Sequence, residues 1–290
     1  MRKVTKDFGT IPAELLTTKC ANLIKLSLTQ LGSHEFDTEV YGHADVRLAL
    51  DQIYKSKCAF CETDPSAGVT MQVEHYRPKA KVTGANTHPG YYWVAYKWSN
   101  LLLACPACNN KKRNRFPVNA ARIPTHPFDA SGNLDDARCL VTSAELTSEQ
   151  PQLINPETDP NPMQHFRFQA TGLIEHKTEA GRITIETCSL NRGRLLLKRK
   201  KVYDTFLNKM IKYFDKNTNG QLSNTKLKTA LKLVIEDLID YILDENNEYT
   251  EFAKTCWNEF EGFYIARFQA TQRQTLQVAY QEIRDIFDNS

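Results

Sequence analysis

Four cysteines, arranged as two Cys-x-x-Cys pairs, are the residues of this 290-residue chain whose spacing most clearly predicts chemistry. The pairs are Cys58 with Cys61 and Cys105 with Cys108. Thiolate sulfur is a soft ligand that selects zinc, and two such pairs supply the four ligands of a closed tetrahedral site. We therefore predict that these four cysteines bind a structural Zn²⁺ ion.

A glutamate and a histidine lie between the two pairs. Glu74 and His75 are the last two residues of the run 70–75, which has the length and the Val, Met and Thr content of a short strand. A histidine after a strand is often a packing or capping residue. Near neutral pH, however, an imidazole can also take a proton from water. Its place beside Glu74 and between the cysteine pairs favours His75 as a general base.

The elements around these residues predict a small core that contains helix and strand. Residues 44–56 have one apolar helical face and lead directly into Cys58. Residues 76–98 are predicted to form a long loop and residues 100–104 a second strand or a turn, and a short helix is expected to start near Asn109. The loop carries six aromatic residues, Tyr76, Tyr91, Tyr92, Trp93, Tyr96 and Trp98. We expect these rings to pack the loop onto the core, with base stacking as the alternative.

The remaining segments predict an irregular region followed by helices. Residues 13–31 contain a helix-like stretch, prolines break residues 124–162, and residues 165–177 are predicted to form a hairpin. Three helices are expected at about 191–214, with Asn191 as the cap, at 224–243, and at 248–287 with an interruption at Gly262. The predicted segments are 1–43, 44–126 (core), 127–190 (irregular) and 191–290 (helical).

Composition favours a globular protein, because 41% of the residues are hydrophobic and 24% are charged. No apolar run is long enough to span a bilayer, so we predict no membrane association. The other cysteines are scattered and form no disulfide framework, as in a reducing compartment (Cys20, Cys139, Cys188 and Cys256). We therefore predict a cytoplasmic location.

Charge is distributed unevenly along the chain. Residues 75–126 contain nine Lys or Arg residues and no Asp or Glu, whereas residues 235–290 contain four basic and twelve acidic residues. A block of positively charged residues beside a candidate catalytic histidine favours a nucleic-acid contact surface over an ordinary solvated face. The acidic helical region is expected to repel phosphate and is a candidate surface for docking a protein partner.

The region from Cys58 to Lys112 resembles the HNH, or ββα-metal, nucleases. The resemblance implies that His75 is the catalytic base and that Asn100 braces the loop that orients it. It also implies that Glu74 and Asn109 hold a catalytic Mg²⁺ or Mn²⁺ ion. Arg77, Lys79, Lys111 and Lys112 would then contact nucleic acid. Three features depart from the common pattern or leave a choice open: Glu74 replaces the commoner Asp, Arg113 replaces Gly, and Asn110 competes with Asn109 as the ligand.

Longer stretches resemble the HNH subunit, PtuB, of Septu and retron anti-phage systems. They are EHYRPK (residues 74–79), GYYWVAY (90–96) and WSNLL (98–102), and further stretches downstream are similar too, so that the likeness runs from about residue 40 to 200. This resemblance implies an SMC-like ATPase partner of the PtuA type and a role in defence.

The sequence thus predicts an α+β protein with a zinc-bound ββα (HNH) core and a mainly helical C-terminal region. The predicted function is endonucleolytic cleavage, with DNA favoured as the substrate. Two alternatives remain: a nuclease of the same defence type that cleaves RNA such as tRNA, and an inactive zinc-stabilised binding module.

Overall fold

The computed structural model describes residues 1–288, which form two compact units. The first unit comprises residues 1–167 and 175–190, and the second comprises residues 168–174 and the chain from residue 191 onward. Residues 1–43 and 44–126, which the sequence separates, fold together in the first unit. No helix in the described part of the chain is long and apolar enough to cross a membrane.

The first unit begins with a short 3-10 turn, Ala13–Leu16, and three helices: α1 (Thr18–Thr29), α2 (Thr38–Tyr41) and α3 (Ala44–Tyr54). The single helix expected at 13–31 is interrupted at Thr17, whose side chain accepts a hydrogen bond from the Cys20 backbone N–H and so caps α1. The predicted apolar face of α3 is confirmed, because Val46, Leu50 and Tyr54 are buried. This helix delivers the chain to the first cysteine pair.

Two strands and a helix follow. Strand β1 (Gln72–His75) pairs antiparallel with β2 (Leu101–Ala104), so that Glu74 lies opposite Leu102 and His75 opposite Leu101. Helix α4 (Pro106–Lys112) begins at Pro106, about one turn before the start near Asn109 that the sequence predicts. Proline is suited to the first turn of a helix, because the N–H that it lacks would have no partner there.

The loop between the two strands is held by its own aromatic side chains. All six rings are buried, which confirms the packing interpretation (Tyr76, Tyr91, Tyr92, Trp93, Tyr96 and Trp98). The Trp98 indole also donates a hydrogen bond of 3.1 Å to the Asp7 carbonyl, and this bond joins the loop to the N-terminal segment. Base stacking needs an exposed ring face, which none of these residues offers in this structure.

The elements from residue 127 to residue 190 are short: α5 (Ala144–Thr147), β3 (Phe166–Phe168), β4 (Ile174–His176) and α6 (Glu179–Cys188). The first unit contains all of them except residues 168–174, the tip of the β3–β4 hairpin, which are assigned to the second unit. The predicted hairpin at 165–177 is confirmed, since β3 and β4 form a two-stranded sheet. The sequence prediction does not include helix α6, although the residue before it, Thr178, is of a type that caps helices. The Thr178 side chain accepts a hydrogen bond from the Gly181 backbone N–H, as an N-cap residue does.

The second unit is helical: α7 (Gly193–Thr218), α8 (Asn224–Leu243), α9 (Thr250–Asn258), α10 (Phe260–Phe263) and α11 (Ala270–Asp288). The bounds of α8 match the prediction, whereas the predicted helix 248–287 is divided into α9, α10 and α11. Asn191 does not cap α7. Its side chain accepts from the Ile174 N–H at 2.9 Å and donates to the Ile174 carbonyl at 2.8 Å, so it clamps the hairpin tip.

A buried ion pair ties the N-terminal segment into the first unit. Lys6 Nζ lies 3.0 Å from Glu157 Oε1, and neither side chain is exposed to solvent. Lys6 also donates to the Leu101 carbonyl in β2, and the Tyr54 hydroxyl donates to the same Glu157 oxygen. Burial lowers the pKa of Lys6 and raises that of Glu157, so each charge depends on the other. Residues 1–43 are therefore part of the core.

We expect Lys6→Met to lower the free energy of unfolding by about 3–5 kcal/mol, because the Glu157 carboxylate would remain buried without its cation. Chemical denaturation measures this loss. The double variant Lys6→Met/Glu157→Gln should regain part of the lost free energy of unfolding. Lys25→Met, at an exposed lysine of α1, is the control and should change stability by less than about 0.5 kcal/mol. A Lys6→Met protein as stable as the control would contradict the prediction.

Candidate metal centre and active site

The four cysteines of the two pairs form one buried cluster. Their sulfur atoms all lie within 4.8 Å of one another, and those of Cys61 and Cys105 are 3.7 Å apart. A tetrahedral zinc ion with Zn–S bonds of about 2.3 Å places its sulfur ligands about 3.8 Å apart. The donor set and its spacing therefore fit a zinc ion, as the sequence predicts.

Backbone hydrogen bonds hold the first pair against β2. The Ala59 N–H donates to the Leu103 carbonyl at 2.8 Å, while Cys105 follows the end of β2 and precedes α4. Burial raises the pKa of the Cys58 thiol, and hydrogen bonding with Cys105 raises that of Cys108. A cation at the centre of the cluster would favour the thiolate form of all four side chains.

His75 is buried at the end of β1, and its ring has a defined hydrogen-bonding state. Its Nε2 lies 2.8 Å from the Ala95 carbonyl oxygen, which can only accept a hydrogen bond. Nε2 must therefore carry the proton. Burial, assisted by the positive charge of Lys79, holds the pKa of His75 well below its ordinary value. The imidazole is consequently neutral at neutral pH, and its Nδ1 retains a lone pair that can accept a proton.

Asn100 fixes the loop that carries the hydrogen-bond acceptor of His75. Its side-chain amide donates to the carbonyls of Arg77 at 3.0 Å and Val94 at 3.2 Å, and its oxygen accepts from the Arg77 N–H at 2.8 Å. Val94 directly precedes Ala95. The buried amide thus joins the two ends of the loop that carries Ala95.

Glu74 is paired with Lys112 inside the protein. Lys112 Nζ lies 2.5 Å from Glu74 Oε1 and donates to the His75 carbonyl at 2.8 Å, and the Lys112 side chain has no solvent exposure. Burial raises the pKa of Glu74, and the Lys112 charge opposes that rise. The predicted role of Lys112 as a nucleic-acid contact does not fit this position. Its side chain is directed towards β1, which its place in the sequence did not reveal.

Asn109 is half-buried and follows the cluster residue Cys108 directly. Its Nδ2 donates to Gln72 Oε1 at 2.8 Å, which leaves the amide oxygen as an acceptor beside β1. Asn110 is exposed, and the choice between Asn109 and Asn110 as the metal ligand stays a prediction. A carboxylate and an amide oxygen are ligands that suit a hard cation such as Mg²⁺.

The predicted basic contacts divide into buried and accessible residues. Arg77 is 1% exposed and pairs with Glu149 at 3.2 Å. Like that of Lys112, its predicted role as a nucleic-acid contact does not fit its buried position. Lys79 is half-buried, with its Nζ 4.7 Å from the centre of the Tyr41 ring, and Lys111 is exposed. Lys79 and Lys111 therefore remain candidate contacts.

Arg113 ends α4 in an unusual conformation, with φ of 48° and ψ of −128°. A positive φ with this ψ is a region that glycine adopts without strain and L side chains rarely enter. The turn at Arg113 therefore has the backbone geometry of a glycine position, which agrees with the Gly of the common HNH pattern.

A cavity of about 920 Å³ is lined in part by Asn109. Its other lining residues come from two stretches of the chain, residues 38–47 (except 40, 45 and 46) and residues 70–73. Tyr41, one of the lining residues, contacts the His75 ring edge-on with ring centres 4.6 Å apart. Neither spacing nor motif in the sequence singled out His43, Arg47 or Gln72 as lining residues.

The structure defines a helix-rich α+β protein with a buried four-cysteine cluster that can bind a metal ion such as zinc. The chain is 31% identical over 230 residues to Septu protein PtuB of Bacillus mycoides (strain KBAB4), which covers 74% of this chain and 72% of that protein. The chain therefore belongs to the PtuB family of Septu proteins.

The chain is also similar to two further Septu proteins. PtuB of Bacillus thuringiensis is 26% identical over 207 residues, 68% of this chain and 64% of that protein. Septu protein PtuA of B. mycoides is 26% identical over 249 residues, 83% of this chain but only 32% of that longer protein. No family model matches the chain. No solved structure matches it either.

Proposed function

We propose that this chain is a metal-dependent HNH endonuclease that acts in anti-phage defence with an SMC-like ATPase of the PtuA type. Its homology to Septu proteins supports the defence role. The observation that carries the nuclease activity is the state of His75: a neutral imidazole, fixed through Ala95 by a loop that Asn100 braces.

The proposed reaction is hydrolysis of a phosphodiester bond. His75 Nδ1 takes a proton from a water molecule, and the oxygen of that water attacks the phosphorus in line with the leaving 3′ oxygen. The product then carries a 5′-phosphate. Ala95 keeps the Nε2 proton in place, and Asn100 prevents the loop from moving away from the ring.

Glu74 and Asn109 would hold a Mg²⁺ or Mn²⁺ ion, which would polarise the phosphate and stabilise the leaving oxygen. Lys112 already supplies a positive charge to the Glu74 carboxylate. A divalent ion at Glu74 must therefore share this carboxylate with Lys112 or displace it.

DNA is the favoured substrate, with Lys79 and Lys111 as phosphate contacts. RNA is the alternative, since hydrolysis by water needs no 2′-hydroxyl and the basic residues do not distinguish the two. The test is incubation of the purified protein with plasmid DNA and with total RNA in the presence of Mg²⁺, with and without the ATPase. EDTA is the control. No cleavage of either nucleic acid under all conditions would reject the proposed activity.

A non-catalytic binding module is the second candidate, and one observation favours it. Glu74 and His75 are only 5% and 6% exposed, and Lys112 occupies one carboxylate oxygen. Such a module would bind nucleic acid equally well with or without the His75 imidazole and would release no 5′-phosphate ends. Measuring both binding and cleavage for one His75 variant separates the candidates.

Helix α8 is the proposed docking surface for the ATPase. Leu233 and Leu243 are 54% and 60% exposed, and the exposed acids Glu236 and Asp240 lie between them on the same face. The two leucines would contribute apolar contact area to such a surface. The acidic charge also makes this face unfavourable for nucleic acid, in line with the charge distribution along the chain.

We expect Glu236→Lys combined with Asp240→Lys to reduce co-purification with the PtuA-type ATPase at least tenfold. Two reversed charges at the centre of a docking face oppose association. Asp215→Lys, at an exposed acid of α7, is the control. Circular dichroism verifies that the variants fold. If the folded double variant retains the ATPase as the wild type does, docking involves another surface.

A further inference from the structure

We propose that the cavity beside Asn109 binds a phosphate adjacent to the scissile one, through the side chains of His43 and Arg47. This inference rests on the proposed nuclease function and extends it. It assigns substrate binding to residues 38–47, which lie outside the two cysteine pairs and the segment between them.

The cavity reaches the candidate active site at Asn109, while Glu74 and His75 are not among its lining residues. Asn109 and Gln72, joined by their 2.8 Å hydrogen bond, form part of its wall. Tyr41 also lines the cavity, and its ring contacts the His75 ring. A polynucleotide backbone that reaches Asn109 therefore has an open path along the cavity, towards the turn before α3.

Arg47 supplies the positive charge. Its side chain is exposed at the cavity and makes no hydrogen bond or ion pair with any residue that the structure describes. A guanidinium group is always charged, and its planar fork can bond two oxygens of a phosphate at once. Other cavity residues are uncharged except for Glu39 and, when protonated, His43. The Glu39 side chain is 85% exposed and lies 3.8 Å from Lys19, which reduces its effect on an anion.

His43 supplies a neutral donor beside Arg47. Its Nδ1 accepts a hydrogen bond of 3.2 Å from the Asp45 backbone N–H. Nδ1 therefore has no proton, and the neutral ring carries its proton on Nε2. The Nε2–H group has no partner among the described residues and can donate to a phosphate oxygen.

A phosphate position that begins at Asn109 and a second one at Arg47 and His43 would select for a chain of nucleotides. A substrate with a single phosphodiester would occupy the position at Glu74 and Asn109 but would make no use of Arg47 and His43. The protein should consequently prefer oligonucleotides that have at least one phosphate beyond the cleaved bond.

The first test is binding of a fluorescein-labelled 20-nucleotide DNA, and of RNA of the same sequence, by fluorescence anisotropy at several salt concentrations. Arg47→Ala should weaken binding about tenfold, and the slope of log K against log[salt] should fall by about 0.7–0.9 for the lost phosphate contact. His43→Ala should weaken binding with little change in slope. Arg167→Ala, an exposed arginine of β3 outside the cavity, should alter neither quantity.

The second test places one neutral methylphosphonate beside the cleaved bond. The wild type should cut this substrate about tenfold more slowly than the unmodified one, whereas Arg47→Ala should show no such difference. If the wild type binds and cuts nucleic acid but Arg47→Ala matches Arg167→Ala in both tests, the inference is wrong and the proposed nuclease stands. If the wild type neither binds nor cuts DNA or RNA, both fail.

Discussion

His75→Ala is expected to lower the rate of phosphodiester cleavage by about 10²- to 10⁴-fold, the usual contribution of a general base. The Nδ1 lone pair is the proton acceptor, and alanine offers no replacement for it. Affinity for nucleic acid should change little, because the buried His75 ring is not part of the proposed phosphate contacts. Cleavage is measured at saturating Mg²⁺ as the appearance of 5′-phosphate ends.

His176→Ala is the matched control, because His176 is an exposed histidine in β4, outside the candidate site. Both variants are compared with the wild type by thermal unfolding, since His75 is buried and its removal leaves a small cavity. Equal cleavage by folded His75→Ala and wild-type protein would show that this histidine is not the base and that the HNH assignment is wrong.

Cys105→Ser is expected to release the zinc ion and to unfold much of the first unit. Structural zinc sites contribute about 10–16 kcal/mol of binding free energy in small metal-dependent domains, and that energy is coupled to folding. Cys105 joins β2 to α4, so both elements depend on it. Cleavage should also be lost, because Asn109 is positioned by the neighbouring cluster residue Cys108.

Elemental analysis measures the zinc content of the variant, and chemical denaturation measures its free energy of unfolding. Cys139→Ser is the control, since Cys139 is equally buried but lies outside the cluster. It should keep its zinc and lose only modest stability. A wild-type protein that is fully folded after purification without zinc would contradict the prediction.

The local features of the site could be predicted from the sequence, because each depends on residues close together in the chain. The cysteine pairs, the strand ending at His75 and the packing of the aromatic loop are of this kind. Asn109 is fixed by its neighbour Cys108. The start of α4 differs from the prediction, because the helix begins at Pro106, before Asn109.

The partners of the charged residues could not be predicted, because they lie far apart in the chain. Arg77 pairs with Glu149, 72 residues away, and Lys6 pairs with Glu157, 151 residues away. A count of basic residues treats both as surface charges, although burial makes them part of the core. The cavity residues His43 and Arg47 were missed for the same reason, since only the fold brings them near Asn109.

Under the proposed mechanism, the buried pair of Lys112 and Glu74 implies that the metal ion and the substrate bind cooperatively. The pair is neutral without a metal ion, so a divalent cation adds two uncompensated positive charges to a site that excludes solvent. A phosphodiester brings a negative charge that offsets part of this excess. Each ligand should then raise the affinity for the other by the same factor. In the absence of nucleic acid, the protein would hold its catalytic ion only weakly.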